Sequence, residues 1–74
     1  MKDLVKLREL VDNAIAEAMD EWGPYNSYHE GNNIIREEFE ELWDEVRGEQ
    51  NPEQLRKEAL HTAATAIRFI YDLL

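Results

Sequence analysis

The last third of the chain constrains the fold most. Residues 52 to 74 carry Leu55, Ala59, Leu60, Ala63, Ala64, Ala66, Ile67, Phe69, Ile70, Tyr71, Leu73 and Leu74, which on a helix cover more than half of the circumference. A single neighbour covers a stripe only about 100° wide, so this segment must be packed on at least two sides. Seventy-four residues make one domain at most, and a core of that size seldom contributes more than roughly 3–5 kcal/mol. Cysteine is absent, so neither a disulfide nor a thiolate zinc site can reinforce it. Oligomerisation or a metal held by oxygen and nitrogen donors remains. The expected architecture is all-α, with three antiparallel helices per chain assembling as a dimeric, or dimer-of-dimers, four-helix-type bundle.

Two breaks cut the chain into three helical lengths. Leu4, Leu7, Val11, Ala14, Ile15, Ala18 and Trp22 recur every three or four residues and predict a helix over 2–22. Gly23-Pro24 is expected to end it, glycine by taking a left-handed cap and proline by interrupting the hydrogen-bond ladder. Ser27-x-x-Glu30 has capping-box spacing and opens a second helix over 28–47, on which Ile35, Phe39, Leu42, Trp43 and Val46 form an apolar arc. Gly48 supplies the stop. Asn51-Pro52 then pairs an N-cap residue with proline at the first helical position, starting a third helix over 52–74. The connector is so short that helices two and three must be antiparallel neighbours. The apolar ending Leu73-Leu74 is expected to be covered by a partner.

Seventeen acidic against eight basic residues give a net charge of −9, which repels nucleic-acid phosphates and anionic membranes at long range. No stretch approaches the ~20 apolar residues that cross a bilayer. A cytoplasmic protein that binds neither nucleic acid nor membrane is expected.

The acidity is concentrated in Arg36-Glu37-Glu38-Phe39-Glu40-Glu41-Leu42-Trp43-Asp44-Glu45. Glu38 and Glu41 share one side of a helix, as do Glu41 and Glu45, and like charges at these spacings repel by a few tenths of a kcal/mol. A cation relieves that repulsion. Glu58-x-x-His61 stands on the neighbouring helix, and Glu-x-x-His is a device by which bundles build metal sites. Glu38, Glu41, Glu58 and His61 are therefore the candidate metal ligands. Hard oxygen donors suit magnesium completed by waters and substrate phosphates. The competing reading of the same run is a solvated face, with Glu37, Glu40 and Asp44 beside Arg36 and Arg47.

Tyr25-Asn26-Ser27-Tyr28-His29-Glu30-Gly31, the run from Ile34 to Val46, Leu55-Arg56-Lys57-Glu58-Ala59 and Ala63-Ala64-Thr65-Ala66-Ile67-Arg68-Phe69 together resemble a small MazG-like member of the all-α NTP pyrophosphatases, of the type encoded by phages and gene cassettes. That family has Glu-Glu-x-x-Glu on one helix and Glu-x-x-Asp on the next. Together they bind magnesium in a dimeric four-helix bundle that hydrolyses nucleoside triphosphates to monophosphate and pyrophosphate. The resemblance implies Glu37-Glu38-x-x-Glu41 as the first motif and Glu58 as the start of the second. His61 departs from it, standing where the family usually has aspartate. Imidazole is a poorer ligand for magnesium but acceptable to manganese or zinc.

A magnesium-dependent house-cleaning NTP or dNTP pyrophosphohydrolase is thus the expected function, with manganese as the alternative ion. Glu37 or Glu45 would be the base that accepts a proton from water. Lys57 and Arg68 share a polar stripe with Glu58 and would hold phosphate oxygens, Arg68 having Asp72 at i, i+4 as its ordinary partner. Trp22 and Tyr28, near Tyr25 and His29, would stack a base or pack the connector. Two other readings stand beside this one. One is a catalytically inactive helical dimer with an acidic, DNA-mimicking interaction surface, which His61 favours. The other is a zinc or iron protein using His61 and His29.

Overall fold

A computed structural model describes residues 3–74 and contains three helices: α1 (Leu4–Glu21), α2 (Tyr28–Arg47) and α3 (Pro52–Leu73). No strand occurs among the described residues. The start expected for the first helix, position 2, lies outside them. Each helix begins on a side-chain cap, the predicted ones at Ser27 and Asn51 and a further one at Asp3. Asp3 accepts from the amides of Val5 and Lys6, Ser27 from Glu30, and Asn51 from Glu53 and Gln54 with Pro52 just inside. Such caps satisfy amides that have no partner within the helix. The Ser27 box is not reciprocal, because the Glu30 carboxylate accepts from the Asn26 backbone and side chain instead.

Gly48 caps the end of α2 as expected, but the end of α1 is built differently. No glycine among the described residues has positive φ. α1 stops because Trp22 turns extended (φ −125°, ψ 139°), and Pro24 cannot resume the ladder. After α2 the left-handed residue is Gln50 (φ 57°). Gly48 is required by proximity, since a Cβ there would lie 2.9 Å from the Asp44 carbonyl oxygen.

The α2–α3 pair is antiparallel, as the falling register shows: Gly31 faces Phe69 and Leu73, Glu38 faces His61, and Glu45 accepts from the Asn51 amide at 3.0 Å. A Cβ on Gly31 would come within 2.7 Å of the Phe69 ring, so the entry to α2 lies close against the end of α3. α1 runs parallel to α3, with Leu10 and Asn13 beside Glu53 and Arg56 and Gly23 beside Arg68. Both α1 and α2 pack on α3 but not on each other. The radius of gyration, 12.7 Å, exceeds the roughly 11 Å of a compact chain this long.

Among the described residues, the buried apolar side chains are Tyr25 and Ala64. Phe39, Trp43 and Val46 on α2, and Ile67, Ile70, Tyr71 and Leu74 at the end of α3, are exposed. Of the apolar arc predicted on the second helix, Ile35 and Leu42 are half-buried and the rest faces outward. No helix among the described residues is long and apolar enough to cross a membrane.

Candidate metal centre

Near the middle of the α2–α3 pair, Oε2 of Glu38 lies 3.7 Å from Nδ1 of His61. Glu58 stands one turn before His61 on α3. One ligand atom from each of Glu38, Glu58 and His61 falls within 4.8 Å of the other two. Ligands 2.1 Å from one ion are at most about 4.2 Å apart, so a small inward movement of flexible side chains closes the shell. Oε2 of Glu38 and Oε2 of Glu58 are shut off from solvent and accept no hydrogen bond. Unpaired buried carboxylate oxygens are costly and call for a ligand or a proton. These three residues can hold one metal ion.

The electrostatics agree. Burial, foremost, pushes the Glu38 carboxyl up to about 7, helped by the charge of Glu41, by hydrogen bonding with Glu41, and by the charges of Glu58 and Glu37. Glu58 is raised by burial, then by hydrogen bonding to Glu41 and by its charge, against the opposing influence of His61 and Lys57. Glu41 itself is exposed, yet it acts on both neighbours. A divalent cation reverses this repulsion and displaces the proton.

The centre opens into a cleft of about 510 Å³. Its walls are Ala14, Glu17, Ala18 and Glu21 of α1 and Glu30, Ile34, Glu37 and Glu38 of α2, with His61, Ala64, Thr65 and Arg68 of α3 as the floor. It exists because α1 and α2 do not meet, and Ala14, Ala18 and Ala64 leave it room. Glu37 lines it, as does Trp22 at the mouth, exposed by 61%. A second hollow of about 340 Å³ between α1 and α3 includes Lys57 and Arg56 and shares His61 with the first.

The other candidates are placed as follows. Glu45 sits at the far end of α2, bonded to the Asn51 amide. The Tyr28 ring stacks on Phe69 with centroids 5.9 Å apart. Arg68 is 2% exposed. Its Nη2 donates to the Gly23 carbonyl at 2.8 Å and to Asp72 at 3.4 Å, its guanidinium lies 4.6 Å from the Tyr25 ring centroid, and its Nε has no partner. The Tyr25 amide donates to the same Asp72 oxygen at 3.1 Å. Arg68, Asp72 and Tyr25 thus fasten the α1–α2 connector to α3. The solvated pairs also form, Arg36 with Glu40 and Arg47 with Asp44, on the side of α2 away from the centre.

Sequence reasoning missed the α1 wall. Ala14 and Ala18, four apart and small, were the available signal, but they also fit an ordinary packing stripe. No protein-family model matches this chain, and no curated protein or solved structure does either.

Proposed function

We propose that the chain is a divalent-metal-dependent nucleoside triphosphate pyrophosphohydrolase of MazG-like type, cytoplasmic and homo-oligomeric, releasing pyrophosphate from an NTP or dNTP. The observation that carries this reading is the convergence of Glu38, Glu58 and His61 from two helices, with two orphaned carboxylate oxygens, beside a cleft that Glu38 and His61 line. A cleft of this size accepts a small molecule. Its acidic lining disfavours a bare polyphosphate, so substrate enters as a metal complex.

Glu38, Glu58 and His61 would hold the ion, with Glu41 adding a further oxygen. When bound, magnesium or manganese neutralises phosphoryl charge and makes water more acidic. Glu37 lines the cleft without a resolved partner and is the better placed of the two candidate bases, because Glu45 is tied to Asn51. Trp22 at the mouth offers a face for a base. Arg68 lines the cleft and stabilises the connector that follows Trp22.

The exposed stripes Phe39–Trp43–Val46 and Ile67–Ile70–Tyr71–Leu74 support self-association, since exposed apolar faces of this extent mark interfaces. A second copy, in a dimer or a dimer of dimers, would cover them. The test is pyrophosphate release from a panel of canonical and modified nucleotides with magnesium, then manganese, for wild type, Glu38→Ala and Glu58→Gln. Turnover lost in both variants supports the reading. No turnover with any nucleotide, and no thermal shift with metal plus nucleotide, would favour the second one, an acidic interaction module, for which His61 and the charge of −9 speak.

A further inference from the structure

We propose that His61 is a nitrogen ligand that makes this centre select a first-row transition-metal ion over magnesium. The inference rests on the metal centre proposed above and assigns its ion. The three donors that come together are two carboxylate oxygens and one imidazole nitrogen. Nδ1 of His61 lies 3.7 Å from Oε2 of Glu38, one of the two carboxylate oxygens without a hydrogen bond, so nitrogen and unpaired oxygen are close enough to share one ion.

The donor set decides which ion gains most. Magnesium requires near-ideal octahedral oxygen ligation and gives up its waters reluctantly. Imidazole suits zinc, nickel and iron, and two carboxylates beside it leave open positions of the kind found in hydrolytic centres. Glu58 and His61, three apart on α3, present oxygen and nitrogen on the same helical side. Glu38 brings the third donor from α2, so the bite of the site is set by the α2–α3 packing. Any N/O site binds transition metals more tightly than magnesium to some degree, so the ratio between ions, and its change on removing the nitrogen, is the informative quantity.

The experiment uses the full chain, stripped with chelator and titrated calorimetrically with manganese and with magnesium, for wild type, His61→Asp and His29→Gln. Pulsed EPR of the manganese-loaded proteins reads nitrogen hyperfine coupling directly. Wild type and His29→Gln should show that coupling, and His61→Asp should lose it. Outer-sphere partners of metal ligands alone change affinity by 10–100-fold, so replacing the nitrogen should shrink the manganese-to-magnesium preference by at least about tenfold. Wild type that shows no nitrogen coupling overturns the proposal whether or not the aspartate variant folds, as does an unchanged ion preference in a folded variant. Failure of wild type to bind either ion removes the centre itself, a result distinct from a bound ion without nitrogen.

Discussion

Replacing Glu38 by glutamine should stabilise the metal-free protein, and the size of the effect follows from its surroundings. The carboxyl, with ordinary value 4.5, titrates at about 7 here, chiefly through burial and then through Glu41. Its side chain is 24% exposed, so solvent screens little of this. A tenfold change in proton affinity is worth about 1.4 kcal/mol, and the ionised carboxylate therefore costs up to about 3 kcal/mol. The folded state holds the proton more tightly than the unfolded one. Stability is accordingly full below pH 4.5, declines as pH rises from there through about 7, and is level above. Glu38→Gln removes that decline. In urea titrations at fixed protein concentration with chelator present, the variant should match wild type near pH 4.5 and exceed it by as much as about 3 kcal/mol at pH 8. Saturating manganese should reverse the order at pH 8, because wild type alone keeps the full ligand set. A difference that does not change with pH, or a variant less stable than wild type at pH 8 under chelator, would refute the assignment of buried, mutually repelling carboxyls to this centre.

Three further outcomes are expected. Gly31→Ala should destabilise by about 1–3 kcal/mol in urea denaturation despite alanine's higher helix propensity, because the new Cβ meets Phe69 at 2.7 Å and Tyr25 at 3.0 Å. Arg68→Met should cost about 3–5 kcal/mol by leaving the buried Asp72 carboxylate with the Tyr25 amide but no countercharge, and Arg68→Met/Asp72→Asn should recover part of that loss. Phe39→Glu combined with Trp43→Glu should shift sedimentation velocity toward a monomer, since both side chains are more than half exposed in one chain; an unchanged sedimentation coefficient would place the contact elsewhere.

Much of the fold was legible because its signals are local. Ser27, Asn51 and Pro52 are caps whose effect reaches only three residues along the chain, and each works where its spacing indicated. The short Gly48–Asn51 connector dictates that α2 and α3 are neighbours, and that alone brings Glu38 opposite Glu58 and His61. Gly23 takes no left-handed cap because an extended exit through Trp22 ends a helix equally well, and that exit is held by Arg68, 45 residues away, donating to the Gly23 carbonyl.

Local chemistry thus determined three helices, their order and the pairing that aligns Glu38 with Glu58 and His61, since helix periodicity and capping act over a few residues. Tertiary structure alone decided that α1 rests on α3 without touching α2, opening the acidic cleft, and that Arg68 turns inward to Asp72 and Tyr25. Those outcomes depend on which faces of α3 are taken by which neighbour, and an apolar surface wrapped more than halfway round a helix leaves that choice to packing.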